Sequence, residues 1–174
     1  INSIVINEVS SRAPEWVEMC NPSAESVDMS GWQIQYLQGN WKNTPAFAAG
    51  TTIGAWGSGN EYMAVSLAGV LPDNGASVRL INSAGQTIDV TTYPNIAAGQ
   101  SWSRFKHEDT GKPVDTGSDA NDFYISNNGW IVPEGPTSGA PNDRKRPVMS
   151  IEKAVSPATA EPGQMITYTI SYPN

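Results

Sequence analysis

Among its 174 residues the chain has one cysteine, Cys20, and one histidine, His107. A single thiol builds no intrachain disulfide framework. One His and one Cys also fall short of the several nitrogen and sulfur ligands that a zinc site uses. Cys20 sits in an apolar run near Glu15 and Glu18, which is the setting of a small buried hydrophobe and not of a reactive thiolate. No apolar run approaches the roughly 18–20 residues that cross a bilayer as a helix, so no membrane span is expected in this stretch. No secretory leader is visible, and the chain opens on Ile1 without Met, as an excised or mature segment of a longer protein would. Charge is sparse and mostly of one sign: 16% of residues are charged, ten Lys and Arg stand against seventeen Asp and Glu, and the net charge is −7. An acidic surface opposes general binding to a phosphate backbone, so no nucleic acid is expected as a partner. The only basic cluster, Arg144-Lys145-Arg146, reads as a solvated linker.

Enzyme signatures are missing as well. There is no Gly-x-Ser-x-Gly elbow for a nucleophilic serine, and His107 lies in the polar run Lys106-His107-Glu108-Asp109. Glu15 and Glu18 are close in sequence but fall on opposite faces of a strand, which does not suit a pair of glycosidase carboxylates. The chain is read as non-catalytic.

Helical periodicity is nearly absent, and strand signals recur roughly every eight to twelve residues, the spacing of a sandwich or barrel. Gly and Pro make up about a sixth of the chain, which suits short strands and ordered turns. The first strand falls at residues 3–9, where Ile4, Val5, Ile6 and Val9 are interrupted by Asn7-Glu8. The second, 16–20, points Val17 and Met19 at a core and leaves Glu18 in hydrogen bonds at a sheet margin. Residues 32–37 alternate cleanly, with Trp32, Ile34 and Tyr36 on one face. Residues 39–58 form an aromatic, glycine-rich excursion with a short strand near 51–53, followed by a strand at 61–67. Asp73-Asn74-Gly75 is a turn, because Asn and Gly tolerate positive φ. Residues 77–82 and 86–90 flank Ser83-Ala84-Gly85 as a hairpin, and 101–105 and 123–125 are further strands. Beyond a linker at 143–149, residues 149–155 and 165–172 read as two strands around a turn.

Several of these pieces resemble the lamin tail domain family: Ile6-Asn7-Glu8-Val9, Glu15-Trp16-Val17-Glu18-Met19, Asn21-Pro22 and Val27-Asp28-Met29-Ser30-Gly31-Trp32. Gly75-Ala76-Ser77-Val78-Arg79-Leu80 is similar to its middle hairpin and Ser101-Trp102-Ser103-Arg104 to its penultimate strand. Asp119-Ala120-Asn121-Asp122-Phe123 and Pro136-Thr137-Ser138-Gly139-Ala140-Pro141-Asn142 are similar to the closing loop of its bacterial and archaeal members. The resemblance spans residues 1–142 and implies an all-β, immunoglobulin-like β-sandwich with a C-terminal strand or hairpin extension. Residues 150–174 resemble the opening strands of a DUF11-type repeat of prokaryotic surface proteins. Together the two resemblances imply a structural or adhesive module of a cell-surface or secreted multidomain protein, with a protein or a cell-surface glycan as partner. A carbohydrate-binding accessory module of an extracellular enzyme is the second reading.

Two sets of candidate residues follow. Asp115, Asp119, Asn121 and Asp122 offer hard oxygen ligands in a loop, suited to Ca²⁺ but without the spacing of an EF-hand; Asx-turns organising the loop would use the same residues. Trp41, Trp56 and Trp130 lie in Gly/Asn-rich stretches read as loops, where indole rings either stack on sugars or cap the ends of a core. The strand at 165–172 is expected to pair, either within its own chain or with a second copy, because an open edge recruits whatever backbone is at hand.

Overall fold

The computed structural model describes residues 4–126 and 136–142, together with the backbone of 152–156 and 167–171. Two antiparallel sheets face one another. The first runs in the order β11-β10-β1-β2-β7, built from Phe123–Ile125, Trp102–Arg104, Val5–Ser10, Trp16–Cys20 and Tyr62–Ser66. The second runs β5-β4-β8-β9, built from Asn40–Asn43, Gln33–Gln38, Ala76–Ile81 and Thr87–Tyr93. A two-residue ladder of β3 (Val27–Asp28) with β6 (Thr52–Ile53) closes one end. The protein is an immunoglobulin-like β-sandwich.

The core lies between the sheets. Ile4, Ile6, Val9, Val17 and Met19 from the first sheet meet Ile34, Val78, Leu80 and Tyr93 from the second, with Met29, Ile53, Leu67 and Leu71 at the margins. Complete burial of one such aliphatic side chain stabilises the fold by about 1.5–3 kcal/mol. The core positions in β1 and the residue before it are spaced 4, 6, 9, so strict alternation fails between Ile6 and Val9. A β-bulge explains this: Ile6 pairs with Met19 and Glu8 with Glu18, which leaves Asn7 as the extra residue. The bulge resets the phase and puts Asn7 and Glu8 together on the side away from the apolar core.

The chain crosses from the first sheet to the second between β2 and β4, and this corner is held by Asx hydrogen bonds. Asn21 Oδ1 accepts from the Ser23 amide and hydroxyl, while its Nδ2 donates to the carbonyls of Glu25 and Gly54. Asp28 accepts from the Ser30 amide and hydroxyl, and these bonds hold its carboxyl below the usual range.

Two expectations need correction. Glu18 is not at a sheet margin: β2 lies between β1 and β7, and Glu18 is fully buried. Trp41 is not in a loop, because it lies on β5, paired across to Leu37. Among the described residues the helical element that forms is one turn, α1, Asp119–Asp122. The tail strand β13 (Thr167–Ser171) pairs antiparallel with β12 (Glu152–Ser156), so in this chain its partner is intrachain.

Candidate functional site

Three clusters of polar side chains could carry function. Two are built into the sandwich and one lies on its surface.

The first surrounds the bulge. Glu8 and Glu18 stand opposite one another on adjacent strands, both fully buried. Like charges directly opposite are destabilising, and here both groups are wrapped by donors. Asn7 Nδ2 donates to Glu18 at 2.8 Å, and the Gly139 amide donates to its other oxygen. The Ser101 and Ser103 hydroxyls donate to Glu8 Oε1, while the Thr137 amide and hydroxyl donate to Oε2 at 3.1 and 2.8 Å. Burial dominates the titration of both: it raises Glu8, and it pushes Glu18 up to about 8 with a smaller contribution from the Glu8 charge. The donors oppose this shift without cancelling it. Residues 136–142 are thereby fastened over the first sheet, and Asn142 Nδ2 completes the attachment by donating to the carbonyls of Asn7 and Arg104.

The second cluster centres on Arg104, which is 2% exposed. Its guanidinium donates to Ile6 O at 2.8 Å and Val114 O at 2.9 Å. It pairs with Asp89 at 3.0 Å, Asp115 at 3.4 Å and Asp122 at 3.7 Å, and it lies 4.3 Å from the centre of the Phe123 ring. Burial raises the Asp89 carboxyl even against the pull of Arg104. Asp89 Oδ2 also accepts from the Ile6 amide, which ties the edge of one sheet to the other.

The residues proposed for calcium fall beside this arginine. Asp122 accepts from the Thr116 amide and hydroxyl, both at 2.7 Å. Asp119 turns away to the Thr92 amide at 2.8 Å. Asn121 is exposed, and its backbone amide bonds Ser118 O. The cation shared by Asp115 and Asp122 is therefore the guanidinium. Among the described residues, no group of three or more His, Cys, Asp or Glu is arranged to hold a metal ion. A cavity of about 280 Å³ opens beside the cluster.

The third cluster lies on the outer face of the second sheet. Asn43, Gln35, Arg79 and Val90 form one cross-strand row over β5, β4, β8 and β9. Gln35 Nε2 donates to Asn43 Oδ1, Arg79 Nε donates to Gln35 Oε1, each at 2.6 Å, and the guanidinium lies 4.1 Å from the centre of the Trp41 ring. The row is thus an interlocked strip of amides and a cation–π pair beside an exposed valine. Trp56 behaves differently. It meets Tyr62 edge-on at 6.2 Å under the Lys112 ammonium, at one end of the sandwich. Trp130 and Arg144-Lys145-Arg146 lie outside the described residues.

His107 is exposed and Cys20 is buried, its thiol pushed well above the usual range by burial. Sequence reasoning missed the Glu8–Glu18 pair. Its signal was present, since two glutamates each interrupt an apolar strand. It also missed Arg104 as the hub of the acidic loop.

No curated protein matches the chain. The family model described as Lamin Tail Domain matches residues 1–95, more than half of it, and in the structure β10 and β11 continue the same sheet past that match. By that match and by its sandwich fold, the chain belongs to the lamin tail domain family.

Proposed function

We propose that this domain is a structural or adhesive interaction module of a prokaryotic cell-surface or secreted multidomain protein. The family is one of non-enzymatic immunoglobulin-like interaction domains. The observation that carries the reading is the disposition of ionisable groups. Glu8, Glu18, Arg104 and Asp122, deeply buried among the described residues, are spent on fastening strands, loops and the 136–142 segment to each other. On the outer face of the second sheet Asn43, Gln35 and Arg79 form a hydrogen-bonded strip suited to recognition. The resemblance of residues 150–174 to a surface-protein repeat supports the extracellular setting.

The second reading, a carbohydrate-binding accessory module, is favoured by one feature. Trp41 shares its sheet face with Gln35, Asn43 and Arg79, so an aromatic body and amide groups are offered together. A glycan array on the whole chain tests it. Binding that disappears in Trp41→Ala while the fold is retained would select the carbohydrate reading. Silence across diverse polysaccharides would leave a protein partner.

A further inference from the structure

Each sheet edge exposes backbone groups that need a partner or a guard. On β9 the outward amides are those of Val90 and Thr92, and carboxylates cap both: Asp89 Oδ1 accepts from Val90 at 2.8 Å and Asp119 Oδ2 from Thr92 at 2.8 Å. On β11 the Phe123 amide is returned to Asp119 O by the preceding helical turn. β5 is four residues long and carries Lys42. β7 is unlike these. The bonds Asn21 N–Glu61 O and Leu67 N–Glu15 O fix its phase against β2. By antiparallel alternation, Tyr62, Ala64 and Ser66 then aim their N–H and C=O groups away from the sheet. Among the described residues nothing accepts from or donates to these six groups. Tyr62–Ser66 contains no charge, no proline and no bulge, and among the described residues nothing covers it, so these guards against edge pairing are not in place.

We infer that the β7 edge is a self-association surface whose partner is the β7 strand of a second copy, joined antiparallel about a two-fold axis at Ala64. The strand is complementary to itself in that register. Ala64 faces Ala64 and Tyr62 faces Ser66, so the six outward groups of each copy are satisfied by the six of the other. On the outer face the side chain at the axis is the small, exposed Ala64, so nothing large or charged meets its own copy. On the inner face Met63 meets the other copy's Val65. These two side chains already pack on the core but remain only half-buried in one copy, and the pairing covers them. The five-stranded sheet becomes a continuous ten-stranded one. The inference stands apart from the partner reading above, since a monomer and a dimer both present the Trp41 face.

Sedimentation velocity on the whole chain over a concentration series tests it. The expected result is a reversible dimer. Ala64→Lys places two ammonium groups face to face at the axis and is expected to give a monomer that melts as the dilute, dissociated wild type does, because the Ala64 side chain is exposed. Ala64→Glu alone is likewise expected to be monomeric, and mixing the two variants restores a dimer. In a hydrogen-bonded antiparallel pair the two Cα atoms lie about 5.5 Å apart, within the roughly 4.4–6.8 Å that a disulfide spans. Ala64→Cys is therefore expected to cross-link under mild oxidation faster than Ala120→Cys on an exposed turn. A wild type that stays monomeric throughout, a dimer indifferent to Ala64→Lys, or an Ala64→Cys that links no faster than Ala120→Cys would each overturn the proposal.

Discussion

Glu18 is a carboxyl group that folding moves the wrong way for a charge. In an unfolded chain it titrates at about 4.3, and in the sandwich burial pushes it up to about 8. Below the unfolded value both states hold the proton and the full stability is present. Between the two values the unfolded chain releases a proton that the folded one keeps, so stability falls as pH rises, and above the folded value that contribution is gone. Glu8, raised for the same reason, acts in the same direction. The melting temperature is therefore expected to decline steadily from mildly acidic to mildly alkaline pH. Glu18→Gln, an amide that keeps the shape without the titration, is expected to flatten that slope; a slope unchanged by the substitution would remove Glu18 as its source. Asn142 is the second residue with a sharp expectation. Replacing it by Ala leaves the buried carbonyls of Asn7 and Arg104 without their shared donor. The cost is on the order of 1–3 kcal/mol, readable in urea unfolding curves.

Legibility differs among the elements according to the range of the forces that define them. β2 is visible in sequence to the residue, and the β8–β9 hairpin nearly so, because alternation and turn chemistry are local. Gly75 belongs to the same class. Its φ is +96°, and a Cβ there would meet Tyr93 O at 2.9 Å and Pro94 C at 3.0 Å. Gly75→Ala is expected to destabilise the turn by about 1–3 kcal/mol through backbone strain, seen as a lowered melting temperature. β3 and β6 are two residues each and exist only because they find one another across the corner; neither has a pattern of its own. Trp41 reads as loop because β5 is short and flanked by Gly39, and only its register with β4 makes it a strand. The candidate site follows the same rule. Asp115, Asp119 and Asp122 are recognisable as a group, but Arg104, the counter-charge of Asp115 and Asp122, lies on another strand, and no spacing announces it. The bulge at Asn7 was half visible, in the broken alternation between Ile6 and Val9.

At the scale of the whole molecule, the family match ends at residue 95, before the first sheet is complete. β10 pairs with β1 at Glu8–Ser103 and Val9–Trp102, and β11 pairs with β10. A chain ending at residue 95 would leave β1 as an edge and strip Glu8 of its donors Ser101, Ser103 and Thr137. Such a truncation is expected to show no cooperative thermal transition, whereas a chain ending after Asn142 retains one; calorimetry on the two compares them directly. The attachment of 136–142 has a kinetic side too. Thr137 bonds Glu8 across 129 positions of chain, and contacts of such sequence separation demand loop closure before they return any stabilisation. During vectorial synthesis the first strands emerge long before the segment that seals them. Their two acidic side chains wait in water, ionised, until that segment arrives. The order of emergence therefore makes completion of this domain a late event that coincides with proton uptake by Glu18.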